Sequence, residues 1–413
     1  MRKRGIMNFR QVFSWGMYDL ANTAFSALFV TFFFPFYIKE FLGGNEFHVG
    51  LAFGASMLLV GLLVPFIGAW SDAVGRRIPF IVVFTIICCI SLAAVGYAPL
   101  GIALFAGAIA NFFYHAALTT YNAILPELST DKNMGWISGI GIGLGYLGTL
   151  LSIGMAAIIL SIYGWETQFG VQAVFIGTAV FFLFVSCITF FVFREKKDFS
   201  ARINPLSEGF LQIKKTLREV RKHTRLFWFM LTMLLYGDGM NAVIIFLFLY
   251  ARSVIELPVK SFMIVYTIFS LAAMIGAFLA GKFCDRFGAK RALQLAGLLW
   301  MAVLVILLYT ASLNTFIIAG SFGGIALGTV WTAMRPLTVH LSPKRNMGQF
   351  FGYMELTDKF SGIIGPIVFG YLAAHVSYSA ALVSLFFFFA AGLLCLTKVV
   401  ITHESCAKTE TVS

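Results

Sequence analysis

Gly68-Ala-Trp-Ser-Asp72-Ala-Val-Gly75-Arg76-Arg77-Ile-Pro79-Phe80 lies between two long apolar runs and reads as a tight turn at a membrane surface. Gly68 is expected to allow close helix approach, Asp72 to place an anion at the helix end, and Gly75 to turn the chain. Arg76 and Arg77 then face water and lipid phosphate. The same pattern returns 213 residues later as Gly281-Lys-Phe-Cys-Asp285-Arg-Phe-Gly288-Ala-Lys290-Arg291. A turn that recurs half a chain later implies two copies of one plan.

Composition says what surrounds that turn. Hydrophobic residues make up 60% of the 413, charged residues 12%, and mean hydropathy is +0.89. A soluble domain is about a quarter charged. Here apolar runs of about twenty residues recur, long enough to cross a hydrocarbon core of roughly 30 Å. Continuous rather than alternating runs indicate helices, not a β-barrel. Twelve spans are expected, at 11–38, 48–70, 79–98, 100–124, 135–160, 170–193, 226–250, 260–281, 291–311, 314–338, 349–374 and 379–401. The implied organisation is an all-α membrane protein with six-helix bundles at 1–193 and 226–401, a linker at 194–225 and a tail at 402–413. In the linker, Leu206, Phe210, Ile213, Leu217 and Val220 alternate at helical spacing with a basic face, which reads as an amphipathic helix on anionic lipid.

The net charge of +12 is distributed by loop. Arg2, Lys3, Arg4 and Arg10 precede the first span, Arg76 and Arg77 follow the second, and Lys132 follows the fourth. A dense group from Arg194 to Arg225 follows the sixth, Lys282, Arg286, Lys290 and Arg291 the eighth, and Lys344 and Arg345 the tenth. The opposite loops hold only Lys39, Arg252 and Lys260. The positive-inside rule then puts both termini in the cytoplasm. Nothing here resembles the basic, aromatic-studded face of a nucleic-acid binder. Cys88, Cys89, Cys187, Cys284, Cys395 and Cys406 lack metal-ligand spacing, so neither a metal site nor a disulfide framework is expected. No cofactor motif occurs, and no phosphate-binding loop that would let ATP drive the protein directly.

Two more pairs support the duplication. Asn133-Met134-Gly135 and Asn346-Met347-Gly348 open spans five and eleven, again 213 apart, and Asp19-Leu-Ala-Asn22 matches Asp238-Gly-Met-Asn241 at an offset of 219. Charged groups inside spans cost about 2.5–3.5 kcal/mol each at a helix centre, so they face protein or a wet cavity. Asp19 shares a helical stripe with Trp15, Asn22 and Ser26, and would bind an ammonium or take up a coupling proton. Asp238, between Gly237 and Gly239, is its symmetry mate. Together they would form a central cationic or protonatable site. Glu355, Asp358 and Lys359 recur at i, i+3, i+4, as an internal Glu355–Lys359 pair, as a gating bridge, or with Lys359 binding a carboxylate. Arg335 either holds a substrate carboxylate or snorkels to the interface. Asn111, Tyr114, His115 and Asn122 fall on one face of span four, where His115 is a candidate proton relay. Gly139, Gly141, Gly143, Gly145 and Gly148 give span five a small-residue stripe for tight packing, and Gly365-Pro366 is expected to loosen span eleven.

The signature Gly-x-x-x-Asp-x-x-Gly-x-Arg between spans two and three resembles that of the major facilitator superfamily. Within it, the chain is similar to the vacuole-effluxer family, in its bacterial form. The likeness rests on Trp15-Gly-Met-Tyr18-Asp19-Leu-Ala-Asn22, Tyr121-Asn122-Ala-Ile-Leu-Pro126-Glu127, Gly143-Leu-Gly145-Tyr146, Tyr236-Gly-Asp238-Gly239, and Phe351-Gly352-Tyr353 with Gly365-Pro366. Tyr18, from this likeness, and Asn241, from the repeat, join the candidate substrate or coupling residues. The resemblance implies a monomeric inner-membrane transporter for a small solute, working by alternating access and driven by a proton or cation. It further implies amino-acid efflux, and a latch at Asp72, with Asp285 as its counterpart, holding the cytoplasmic side shut. Met334 stands before Arg335 where the family pattern leads one to expect serine. Drug efflux, sugar uptake and a non-transporting sensor are the rival readings. No catalytic constellation supports an enzyme.

Overall fold

A computed structural model describes residues 9–128, 134–194, 224–309, 312–341, 354 and 356–400. The expected amphipathic linker helix, Asn133, Asn346, Glu355, Lys132, Lys344 and Arg345 lie outside the described residues. All regular structure among the described residues is helical. Span one runs through Phe9–Ala24 as α-helix, Phe25–Phe33 as π-helix and Phe34–Glu40 as α-helix again. Spans two to six are Glu46–Val74, Ile78–Val95, Leu100–Asn122, Met134–Tyr163 and Gln168–Val192. Spans seven to ten are Thr224–Val254, Val259–Phe287, Ala289–Tyr309 and Leu313–Leu341, and span twelve is Tyr378–Thr397. Eleven helices among the described residues are long and apolar enough to cross a membrane.

Span eleven departs from the expected continuous helix. Residues 356–360 are helical, Ser361–Ile363 turn, and a new helix runs Ile364–His375. The break therefore precedes Gly365-Pro366 instead of falling on it. The reason is proline's missing N–H and its clash with the preceding turn. Restarting at Ile364 puts Pro366 in a first turn, where no intrahelical N–H bond is lost.

The chain divides into two compact units, Met1–Ile213 with Ile244–Thr267, and Lys214–Val243 with Ile268–Ser413. In the first, span three packs on four and six, span five on six, and span one on five and six. In the second, span nine packs on ten and twelve, and span eleven on twelve. The duplication read from the turns thus extends to which helices touch. Spans six and twelve even start with the same device, Thr167 Oγ1 accepting from Gly170 N at 3.0 Å and Ser377 Oγ from Ala380 N at 3.1 Å.

The two turns match in backbone. Gly75 has φ +67° and Gly288 φ +89°, a region that costs a side chain about 1–2 kcal/mol. Each closes its helix, Gly75 N donating to Ser71 O and Gly288 N to Cys284 O. Among the described residues no close helix approach occurs at Gly68. A Cβ at Gly68 or at Gly281 would meet nothing within 4 Å among the described residues. Close approach occurs elsewhere, at Gly148 against the Leu20 carbonyl and at Gly365 against the Asp238 carbonyl. Large apolar side chains cover the outside, Phe191 being 85% exposed, which only lipid can accommodate.

Candidate functional site

In the first unit the site is built on span one. Asn22 Nδ2 donates to Asp19 Oδ1 at 3.3 Å, and Thr23 Oγ1 to the Asp19 carbonyl at 2.6 Å. Asn22 is buried and Asp19 half-buried. The carboxylate lies against the bare face of span five, where a Cβ on Gly141 would stand 2.9 Å from Asp19 Oδ2 and one on Gly145 3.0 Å from Thr23 Oγ1. Two glycines one turn apart therefore make the room in which the acid sits. A Cβ on Gly143, on the other side of that helix, would meet nothing within 4 Å among the described residues. Trp15 belongs to packing more than to a polar stripe. Its ring stacks on Tyr121 at 4.7 Å, and its Nε1 donates to the Tyr121 carbonyl at 3.4 Å.

Tyr18 has to be reassigned. One residue along a helix is about 100° around it, and Tyr18 points away from the acid into the bundle, fully buried, its hydroxyl 2.8 Å from Thr85 Oγ1 of span three. It ties span one to span three. The span-four face also separates. Asn111 donates to Ser56 Oγ at 3.1 Å in the interior, Tyr114 stacks on Phe25 at 4.7 Å, His115 sits edge-on to Tyr114, and Asn122 is exposed at the helix end.

In the second unit the break in span eleven is the centre. Breaking a helix inside a membrane frees N–H and C=O groups that must find partners within the protein. Span seven supplies both kinds. Asp238 Oδ1 accepts from Gly365 N at 2.8 Å, with the N–H groups of Ile364 and Ile363 also directed at the carboxylate. Asn241 Nδ2 donates to the Ser361 carbonyl at 3.2 Å. Asp238 thus caps the helix that starts and Asn241 the segment that ends. Gly237 admits the Ser361 side chain and Gly365 admits the Asp238 backbone. Asp238 is 1% exposed, and its carboxylate is committed to this cap.

Beside the break, Lys359 is buried and its ammonium lies 3.1 Å from Asp358 Oδ2, so the described partner is its chain neighbour. The expected Glu355–Lys359 pair falls outside the described residues. Arg335 is exposed near the end of span ten. Of the signature turns, the Asp72 side chain lies outside the described set, while Arg76, Asp285, Gly288 and Arg291 are exposed and Gly75, Arg77, Gly281 and Lys290 are half-buried.

A third cluster was not anticipated. On the face opposite the basic loops, segment 244–267 joins the first unit through all three cations of that side. Arg252 grips Glu166 bidentately, at 3.2 and 2.8 Å, and Glu166 also accepts from Val259 N at 3.2 Å. Lys39 bonds both Glu46 and Ser253 Oγ, the latter at 2.9 Å. Lys260 stands 5.6 Å from the Trp165 ring centre. Phe32, at the end of the π-helix, meets Phe262 at 4.8 Å, Tyr266 at 4.9 Å and Phe248 at 5.6 Å. The signal available in the sequence was confined to Lys39 and Glu46, which flank one loop, whereas Glu166 lies in a different loop from Arg252 and Lys260.

The family described as Major Facilitator Superfamily matches over residues 20–266 and 257–410. The uncharacterized MFS-type transporter YxiO of Bacillus subtilis is 26% identical over 94% of this chain and 95% of its own. A homologue of the multi-drug resistance efflux pump PmrA from Lactococcus lactis is 24% identical over 85% of each. A crystal structure of the nucleoside transporter NupG superposes with TM-score 0.77 over 94% of this chain and 99% of that one, at 13% identity.

Proposed function

The chain belongs to the major facilitator superfamily, and from that premise we propose that it carries a small solute across the membrane by alternating access, with Asp19 as the coupling acid. It is a multi-pass membrane carrier, not an enzyme. The observation that carries the reading is the contrast between the two intramembrane acids. Asp238 is buried and spent on a helix cap. Asp19 is half-buried beside two glycines, with an amide donor on one oxygen. Such a carboxylate is placed to exchange a proton or hold a cationic group, as acids within spans commonly do.

The cluster opposite the basic loops supports alternating access. It ties segment 244–267 to the first-half loops by ion pairs above and aromatic rings below. Opening on that side requires those contacts to part. Closing the basic side is assigned to the Asp72 and Asp285 turns, on the resemblance of the signature. With basic loops inside, the chain sits in the bacterial inner membrane with both termini cytoplasmic, as a monomer.

The preferred substrate is an amino acid moved outward, which rests on the likeness to the vacuole-effluxer family. Drug efflux is the second reading, favoured by the likeness to the Lactococcus homologue of a multi-drug resistance efflux pump. Purified protein in proteoliposomes tests both points. A thermal-shift screen of amino acids, nucleosides, sugars and cationic dyes selects the solute. Gradient-driven accumulation of that solute should then be lost in Asp19→Asn. Unchanged accumulation removes Asp19 from the coupling role, and a gradient-independent flux in the unaltered protein removes coupling altogether.

A further inference from the structure

The two copies of the signature turn differ in one respect that the turn itself does not require. Where the first has Ala69 and Ala73, the second has Lys282 and Arg286, 213 residues on. Both cations lie near the basic end of span eight, one turn apart on one face, and both are exposed. Lys282 Nζ stands 4.8 Å from the Phe278 ring centre and the Arg286 guanidinium 5.2 Å from that of Phe287. No carboxylate among the described residues pairs with either. Two like charges at this spacing repel each other, and an anion bridging them reverses the sign.

Behind them, between spans eight, nine and ten, is a cavity of about 430 Å³. Its walls include Leu279, Leu295, Leu299 and Ile325, while Lys282 and Arg286 stand at its rim. Leu279 is 53% exposed and Leu295 51%, so the groove opens on the lipid-facing surface. Two cations over an apolar slot match a molecule with a phosphate at one end and a hydrocarbon chain at the other.

We propose that this groove binds an anionic phospholipid, with its phosphate between Lys282 and Arg286 and an acyl chain against Leu279, Leu295 and Leu299. Arg286 offers a planar fork for two phosphate oxygens and Lys282 a mobile point charge. The site lies wholly in the second unit and does not depend on which solute is carried. The first copy of the turn, with alanines at both positions, lacks the cations for an equivalent site.

The full-length protein, delipidated and returned to detergent micelles, tests this with dioleoyl-phosphatidylglycerol and dioleoyl-phosphatidylcholine as probes. Native mass spectrometry counts retained lipid, and thermal unfolding reads stabilisation. Phosphatidylglycerol should be retained over phosphatidylcholine and raise Tm. Lys282→Ala and Arg286→Ala should each weaken retention about fivefold, and the pair about 25-fold, from the usual contribution of a basic residue near an anionic surface. The paired variant takes the residues the first copy already has, so its fold should hold, and Lys282→Gln with Arg286→Gln should give the same loss. Leu299→Trp, which fills the groove and leaves the charges alone, should also reduce retention. Equal retention of the two lipids, or retention unchanged in the paired variants or in Leu299→Trp, overturns the proposal. Displacement of the lipid by millimolar inorganic phosphate overturns it as well, since the groove would then be a free-anion site.

Discussion

Replacing Asp238 separates a structural acid from a coupling one. Its Oδ1 receives the Gly365 N–H at 2.8 Å at the start of the helix Ile364–His375. A hydrogen bond to a charged acceptor contributes about 1.5–3 kcal/mol, and one between neutral groups about 0.5–1.5. Asp238→Asn keeps an acceptor oxygen and should cost about 1 kcal/mol. Asp238→Ala leaves the Gly365 N–H without its partner where no water reaches, at about 3 kcal/mol, with a small cavity added. At roughly 2–4 °C per kcal/mol for a unit of this size, Tm should fall about 3 °C for asparagine and about 9 °C for alanine. Asp19→Ala, next to a span that has no break, should cost less than Asp238→Ala. Thermal unfolding of the purified protein gives the order, and amide hydrogen exchange locates it. Exchange at Ile363–Gly365 should accelerate in Asp238→Ala and stay unchanged in Asp19→Ala. In proteoliposomes Asp238→Asn should keep gradient-driven transport that Asp19→Asn loses. Equal destabilisation by the two alanine variants, or protected amides at 363–365 in Asp238→Ala, would refute the cap.

Four further outcomes are expected. Gly148→Ala and Gly365→Ala should both fail to fold or lose several degrees of Tm, because each Cβ would collide with a carbonyl of the facing helix, whereas Gly143→Ala should be neutral. Gly75→Ala and Gly288→Ala should each cost about 1–2 kcal/mol for their positive φ, while Gly68→Ala and Gly281→Ala should leave Tm within about 1 °C, all read by thermal unfolding. Glu166→Gln should speed labelling of Thr31→Cys by an impermeant maleimide about fivefold, since a partly exposed ion pair contributes up to about 1 kcal/mol, and Glu166→Arg with Arg252→Glu should restore the slow rate. Tyr18→Phe should lower stability by about 1 kcal/mol through the lost bond to Thr85 and leave the KM of the identified solute unchanged.

The spans and the two turns were legible in the sequence because both are written locally. Apolar runs of membrane length mark the helices, and Gly75 and Gly288 mark positions where only a residue without a Cβ turns cheaply. The π-helix at Phe25–Phe33 was not legible, since an apolar stretch looks the same to a hydropathy reading whichever carbonyl each N–H chooses. Pro366 announced that span eleven would be disturbed, yet where it breaks is decided by Asp238 and Asn241, more than a hundred residues away. Gly68 was read as a close-approach site from the turn signature alone, and among the described residues nothing lies within 4 Å of where its Cβ would stand. The pairing of Arg252 with Glu166 joins loops 86 residues apart, and no local pattern encodes it.

Duplicated sequence invites the expectation of a duplicated site, and this protein shows why that step fails. Both halves carry Asp-x-x-Asn in their first span, at Asp19/Asn22 and Asp238/Asn241. What each pair does depends on the helix it meets. Span five runs unbroken from Met134 to Tyr163, its N–H groups bonded along its own axis, so it offers Asp19 no helix end. Asn22 therefore turns to the aspartate itself, and the carboxylate rests on Gly141. Span eleven is broken, so Asp238 and Asn241 part company, one to each side of the gap. A carboxylate that holds a helix end cannot give it up without loosening the helix. The same residue type is thus built into a helix end in one half and set against a bare glycine face in the other, two placements drawn from one repeated motif.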